Sequence, residues 1–245
     1  MIGKISVLIL THNAPRYVEE TIVTLNEVTR PEERNIMEII VFDNASDEET
    51  KRILYGLKER GYIDKLQLSE INTLFSLGNN LASNLASKES NFLLLLNSDI
   101  KINHPDWLYQ LLKYKKTGNY NVISYGYAGG PSRCDGYCFL IDKNLYDTYK
   151  LDESFEWWWG ITKIQAELLK DGYSILAIKN HNKYLYHYGG KSGLDFDKAK
   201  GMNTEIKEVL SWFQNNTIEV FDLCIIQTIT ENIRKIIRRA IKILK

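Results

Sequence analysis

The chain of 245 residues is poor in cysteine and contains no long hydrophobic run. Its three cysteines, Cys134, Cys138 and Cys224, are too few for a disulfide framework or a four-ligand zinc site, which favours a reducing compartment and core positions for all three. The apolar run 5–10 is too short for a signal-peptide core, and no stretch approaches the ~20 apolar residues of a membrane-spanning helix. We therefore expect a cytoplasmic protein, either free or peripheral on the inner face of the cell membrane.

The chain also lacks net charge, because 31 basic residues balance 31 acidic ones. The balance is uneven: segment 232–245 carries six Lys or Arg and no acid, which leaves 25 basic against 31 acidic residues in the rest. Apolar residues recur at helical spacing through this segment, so we predict a basic amphipathic helix over 216–245. Such a helix either lies on an anionic membrane surface or packs on its own domain or on a second subunit, as in a homodimer. Nucleic acid is not an expected partner.

Strand-like and helix-like patterns alternate along the first 100 residues. Apolar, β-rich runs occur at 4–11, 38–43, 65–70 and 92–96, with helical patterns between them. This alternation predicts an α/β protein with a doubly wound, mostly parallel sheet flanked by helices.

The pattern changes after residue 105. Strand-like segments there surround a Gly-rich turn at 128–131, and helical patterns follow at 162–170, 196–214 and 218–245. We expect one domain in which residues 1–100 bind a nucleotide and residues 101–215 bind the substrate.

Polar residues follow three of the predicted parallel strands: Thr11-His12-Asn13, Asp43-Asn44 and Asn97-Ser98-Asp99. Since the carboxyl ends of parallel strands meet at one edge, these side chains should form a single pocket, whose amides and carboxylates suit a nucleotide. Asp99 offers hard oxygen ligands for Mg²⁺ or Mn²⁺, which could hold a diphosphate. A simple Asx turn after the strand is an equally good explanation of Asp99 alone.

These motifs, in this order, resemble those of the family-two inverting glycosyltransferases with the GT-A fold, of the rhamnosyltransferase-like, polysaccharide-biosynthesis type, from about residue 4 to about residue 192. The segments SVLILTHN, VFDNASDEET, NTLFSLGNN and NSD carry the resemblance, with Leu74 in the third where the family pattern has glycine. The resemblance implies that Asp43 accepts the N3–H of a pyrimidine base and that Asp99 is a ligand of Mn²⁺ or Mg²⁺. The other residues it implies at the nucleotide-sugar site are Thr11, His12, Asn13, Asn80, Asn97 and Ser98.

The resemblance further implies the reaction. A sugar would pass from a UDP- or dTDP-linked donor to a saccharide or lipid-linked saccharide acceptor, with inversion, in the synthesis of a cell-surface polysaccharide. The basic tail would then dock the enzyme on an anionic membrane.

The second half departs from the family at one position. In LDESFEWWWGITKIQAELLKDGY, Gly160-Ile161 stands where the family has Glu-Asp, so the usual general base is missing. Either Glu156 or Asp135 replaces it, or the chain is a non-catalytic subunit that binds a nucleotide sugar. A surface position for Glu156 and a turn cap for Asp135 are the plain alternatives.

Two further groups complete the candidate site. Trp157, Trp158 and Trp159 cannot all face one core if that segment is extended, so Trp158 and Trp159 are candidates for stacking on an acceptor sugar, with core packing as the alternative. His187 resembles the family's late histidine at the metal, and the adjacent Lys191 and Ser192 could bind phosphate. A flexible glycine loop with a solvated lysine would also explain that segment.

Overall fold

A computed structural model describes residues 3–191 and 198–224. Its centre is an eight-stranded sheet formed by β1 (Lys4–Thr11), β2 (Met37–Asn44), β3 (Lys65–Ser69), β4 (Ser90–Leu96), β6 (Val122–Ala128), β7 (Arg133–Asp142), β8 (Ile175–Lys179) and β10 (Glu219–Asp222), while β5 (Ile100–Ile102) and β9 (Leu185–His187) pair separately. The order in the sheet is β10-β8-β6-β7-β4-β1-β2-β3, and only β7 runs antiparallel to its neighbours. The predicted mostly parallel sheet is confirmed.

The helices cover both faces of this sheet, as the alternation predicts. They are α1 (Pro15–Val28), α2 (Pro31–Arg34), α3 (Glu48–Glu59), α4 (Leu74–Ser83), α5 (Trp107–Gly118), α6 (Lys143–Tyr149), α7 (Trp158–Lys170) and α8 (Ile206–Phe213). At the start of α3 the Asp47 side chain accepts a hydrogen bond from Thr50 N at 2.8 Å, and two glutamates occupy the first turn. A capping side chain and acids in the first turn both stabilise the start of a helix.

The central strands are buried on both faces, which explains their continuous apolar sequence. All eight residues of β2 and the last four of β4 are buried. Two apolar clusters lie on opposite faces of the sheet, one including Val7, Ile9 and Trp107 and the other Leu8 and Phe139. With the apolar side chains sequestered in the core, the polar ends of the strands are left for the carboxyl edge.

The structure corrects three predictions from the sequence. Residues 219–222, assigned to the long C-terminal helix, form the edge strand β10 parallel to β8, because a four-residue run is too short to show a strand period. Only Ile206–Phe213 is α-helical within the described part of 196–214. Cys134 and Cys138 are buried as expected, but Cys224 is exposed.

The basic tail 232–245 lies outside the described residues. Within the described ranges, no helix is both long and apolar enough to cross a bilayer.

Candidate active site

A cavity of about 250 Å³ opens at the carboxyl ends of β1, β2 and β4. The first turn of α7 and the β9 end form other parts of its wall. Seven of the residues predicted for the site line it: Thr11, His12, Asn97, Asp99, Asp135, Trp158 and His187. The topology thus brings together groups that are up to 176 residues apart in sequence.

Asp99 and His187 meet at one side of this cavity. Asp99 is 1% exposed, its Oδ2 accepts a hydrogen bond from the backbone N–H of Lys191 at 3.2 Å, and its Oδ1 lies 3.2 Å from His187 Nε2. Burial by itself raises the pKa of Asp99, but His187 and the Lys191 N–H outweigh it and hold that pKa below its usual value. The carboxylate is therefore ionised where it faces the cavity.

The same pair fits a divalent cation. Asp99 Oδ1 is buried and forms no hydrogen bond of good geometry, although His187 Nε2 lies 3.2 Å from it. With the imidazole neutral, a cation between the two groups would replace the attraction that a protonated His187 gives the carboxylate, and carboxylate and imidazole are ligands that Mn²⁺ accepts. Among the described residues no group of three or more His, Cys, Asp or Glu is placed to hold a metal, so further ligands would come from phosphate or water.

Asp43 lies beneath the cavity wall rather than on it. The residue is fully buried; its Oδ2 accepts the Ser46 N–H at 3.2 Å, whereas its Oδ1 has no partner. Burial raises the pKa of Asp43, partly offset by hydrogen bonds from Ser46. A buried carboxylate oxygen without a donor is costly, and an N–H group from a ligand would satisfy it.

Two loops close over Asp43. Asn13 N donates to Ser46 Oγ at 3.0 Å, and Asn13 Oδ1 accepts the Asp47 N–H at 2.7 Å. The His12 ring Nδ1 lies 2.8 Å from the Asn44 carbonyl oxygen. Asn13 is thus exposed but outside the cavity lining, and its part here is to join the β1 and β2 ends.

Polar atoms without partners are concentrated at this edge of the sheet. Seven buried side-chain oxygen or nitrogen atoms among the described residues lack a hydrogen bond, and four of them follow or end the central parallel strands. These four are Thr11 Oγ1, Asp43 Oδ1, Ser98 Oγ and Asp99 Oδ1. Because buried polar groups are nearly always paired, their clustering marks the place where a polar ligand would complete the structure.

Asn44, which the sequence places only at a strand end, organises the neighbouring loop. Its side chain donates to Asn72 Oδ1 at 2.7 Å and accepts from Thr73 N and Thr73 Oγ1 at 2.7 and 2.8 Å. These bonds fix the start of α4, where Leu74 has φ +57°. A left-handed conformation costs a non-glycine residue roughly 1–2 kcal/mol, so the loop carries local strain at the cavity.

The position of the family's missing base is apolar. Gly160 packs against Ser76, where a Cβ would come within 2.2 Å of Ser76 Oγ, and Ile161 is 2% exposed on the cavity wall. Gly136 on β7 is also closely packed, since a Cβ there would lie 2.9 Å from Ile161 Cγ2. This contact brings β7 and α7 together beside the position that has lost its carboxylate.

Of the two acids proposed as replacements, only Asp135 lies in the cavity. It is exposed on β7, next to Gly136, and its side chain forms no hydrogen bond or ion pair with the described part of the chain. Glu156 is placed elsewhere: its Oε2 accepts the Lys200 N–H at 2.7 Å, its Oε1 lies 3.6 Å from Lys200 Nζ, and its carbonyl accepts Phe75 N at 2.9 Å. Glu156 therefore connects the start of α4 to residue 200, and the structure does not support it as the base.

The three tryptophans begin a helix rather than a strand, so the premise of alternating side chains is wrong. Trp157 and Trp158 line the cavity, and Trp158 is 43% exposed. Trp159 instead packs edge-on against Trp212 at 6.4 Å, with the Arg133 guanidinium 5.5 Å from its ring centre. The helix directs successive side chains ~100° apart, which separates Trp159 from the cavity.

The remaining predicted residues are less directly placed. Asn80 is buried outside the cavity lining. Its side-chain amide forms hydrogen bonds with Leu151, Glu153 and Tyr146, and so joins α4 to the segment before α7. Ser98 is buried behind the lining. Lys191 is exposed, with its backbone bound to Asp99, and Ser192 falls outside the described residues.

The structure adds lining residues that the motifs do not reveal. Tyr137 stacks on the His187 ring with centroids 4.2 Å apart, and so fixes the imidazole beside Asp99. Trp157 contacts Phe75 edge-on, with ring centroids 6.4 Å apart. The two residues are far apart in sequence but adjacent in the cavity wall. Only the alternation of buried and polar residues along β7 could have indicated Tyr137, and it does not show which face meets His187.

Solved structures share this fold at low sequence identity. The mannosyltransferase PcManGT from Pyrobaculum calidifontis, in complex with GDP-Man and Mn²⁺, matches with a TM-score of 0.63 and 14% identity over 74% of this chain and 56% of its own. TarS from S. aureus matches with a TM-score of 0.61 and 17% identity over 75% of this chain and 36% of its own. TarS 1–349 in complex with UDP matches with a TM-score of 0.55 and 18% identity over 66% of this chain and 55% of its own. This chain thus matches about half or less of each of these proteins.

No curated protein matches the sequence significantly. The family model described as glycosyl transferase family 2 matches residues 6–137, which include β1 to β4 and the first part of β7. That region is more than half of the chain and supplies most of the cavity wall. With its GT-A fold, the chain belongs to glycosyl transferase family 2.

Proposed function

We propose that this chain is an inverting, metal-dependent glycosyltransferase that moves a sugar from a nucleotide-diphospho-sugar to a saccharide acceptor. The observation that supports it best is the cluster of four buried, unpartnered polar atoms at the ends of the central parallel strands. A nucleotide diphosphate with its cation would supply both the donors and the charge that these atoms lack.

The donor would lie across the carboxyl ends of the strands. Asp43 Oδ1 would accept an N–H group of the base, and Asp99 with His187 would hold Mn²⁺ or Mg²⁺. When bound, the ion would neutralise the departing diphosphate. The exposed Lys191 could add a second positive charge at the same side of the cavity.

Asp135 is the proposed general base. Its carboxylate would take the proton from the acceptor hydroxyl as the oxygen attacks the anomeric carbon and the bond to the diphosphate breaks. Trp157 and Trp158 offer ring faces for the acceptor sugar in the same wall. Attack by the acceptor oxygen on the face of the donor sugar opposite the departing diphosphate would invert the anomeric centre.

A non-catalytic nucleotide-sugar-binding subunit is the second candidate. Ile161, buried on the cavity wall where the family has a carboxylate, is the observation that favours it. For the catalytic form, we propose that the chain extends a lipid-linked polysaccharide at the inner membrane face. The basic segment 232–245 supports this proposal, and deleting that segment should reduce binding to anionic vesicles.

Thermal unfolding with Mn²⁺ and a panel of nucleotide sugars tests both candidates. A donor held at 100 times its dissociation constant adds ~2.7 kcal/mol to the free energy of unfolding. Stabilisation followed by transfer to saccharide acceptors would support the enzyme, and stabilisation without transfer or hydrolysis would support the binding subunit. A panel that stabilises nothing would contradict both.

A further inference from the structure

We infer that Leu74 limits the nucleoside end of the cavity to a single-ring base, so that pyrimidine nucleotides bind and purine nucleotides are excluded. This inference rests on the proposed function, since it needs a nucleotide donor. It assigns base selection to a side chain in the loop before α4, in addition to the hydrogen bond proposed for Asp43.

The backbone at Leu74 is better suited to glycine than to leucine. Its φ of +57° brings a Cβ close to the backbone, a contact that glycine avoids. The loop is held there by Leu74 N, which donates to Asn72 Oδ1 at 2.9 Å, and by Leu74 O, which accepts from Asn44 Nδ2 at 3.3 Å. Both bonds use main-chain atoms of Leu74, so the fold of the loop does not require its side chain.

The side chain itself lies on the cavity wall. Leu74 is half-buried there, beside Phe75 and the amides of Asn44 and Asn72. A strained leucine at a position where glycine would suffice points to a role for its side chain at the site. In a cavity of about 250 Å³, below the roughly 300–1,000 Å³ of typical ligand pockets, four extra carbon atoms strongly restrict what fits.

The sheet order shows which part of a nucleotide would meet this side chain. Leu74 follows β3 and is bonded to Asn44 at the end of β2, the strand that also carries Asp43. Asp99 follows β4 and His187 ends β9, on the other side of β1. With the diphosphate at Asp99 and the base at Asp43, Leu74 lies at the base end.

The test compares UDP with GDP, each with Mn²⁺, by calorimetric titration of the full chain. The wild-type protein should bind UDP at least ~10-fold more tightly than GDP, the selectivity that an apolar pocket gains from small changes in volume. L74G should reduce the ratio of UDP to GDP affinity ~10-fold, because the affinity for GDP rises while the affinity for UDP changes little. L74A should narrow it in the same direction and, because alanine keeps the unfavourable φ, should unfold at a lower temperature than L74G.

I161A is the matched control, since Ile161 is an apolar residue on the α7 wall of the same cavity. It enlarges the cavity from the α7 wall, beside Gly136 on β7, and leaves the Leu74 side chain in place, so it should leave the ratio of UDP to GDP affinity unchanged. An unaltered ratio in both Leu74 variants, an equal change in I161A, or equal affinities for UDP and GDP in the wild-type protein would overturn the assignment to Leu74. Failure of the wild-type protein to bind either nucleotide would instead overturn the proposed function, and this inference with it.

Discussion

Replacement of Asp135 by asparagine tests the proposed base most directly. Asparagine keeps the size of the side chain and can still accept a hydrogen bond, but it cannot take a proton at neutral pH. Asp135 is exposed on the cavity wall and has no hydrogen bond or ion pair with the described residues, so the change should alter the free energy of unfolding by less than ~0.5 kcal/mol. A loss of activity could then be attributed to the chemistry.

The expected loss follows from the role of the carboxylate. A positioned general base contributes ~10²–10⁴-fold to turnover, which corresponds to about 3–5 kcal/mol of transition-state stabilisation. The assay is release of nucleoside diphosphate in the presence of acceptor, together with a calorimetric titration of the donor. D135N should bind the donor with the affinity of the wild-type protein and lose ~10²-fold or more in kcat.

E156Q is the matched control for this experiment. Glu156 is the other acid proposed from the sequence, but it bonds the Lys200 N–H and an exposed Lys200 ammonium outside the cavity. Its replacement should cost no more than ~1 kcal/mol of stability and leave kcat unchanged. Normal turnover by D135N, or a large loss confined to E156Q, would refute the assignment of the base to Asp135.

Three further predictions concern stability and the donor. D99A should abolish Mn²⁺-dependent binding of UDP while the far-ultraviolet circular dichroism spectrum stays unchanged; parent-like titration of Mn²⁺ would argue against Asp99 as a ligand. D43A should weaken donor binding by about 1–3 kcal/mol, and D43N should weaken it by less, because the amide still accepts a hydrogen bond but carries no charge. Equal donor affinities in D43A, D43N and the wild-type protein would show that the base binds elsewhere. Glu33 is buried, and burial raises its pKa to about 7, so the folded protein binds this proton more tightly than the unfolded chain. Stability should therefore fall by on the order of 2 kcal/mol as pH rises from ~4.5 to ~7.5, and urea unfolding of E33Q should show a smaller fall over that range.

The sequence by itself determined the central layers of this protein. A short continuous apolar run such as 92–96, bounded by polar residues, is typical of a strand covered on both faces, and the polar residues that follow such a strand lie at the carboxyl edge of a parallel sheet. Thr11, His12, Asn97 and Asp99 were therefore predictable as neighbours from local pattern and topology alone, and the structure places all four in one cavity.

Tertiary structure decided what local pattern cannot express. The sequence offers Glu156 and Asp135 as equally good candidates for the base. With α7 packed against β7, Asp135 lies in the cavity, whereas the Glu156 carboxylate accepts a hydrogen bond from the Lys200 N–H outside it. The stacking of Tyr137 on His187 likewise depends on strands 50 residues apart, whose relative positions no short segment encodes. Which strands and helices lie next to each other depends on packing throughout the core. That packing therefore decides which of the candidate residues lie together in the site.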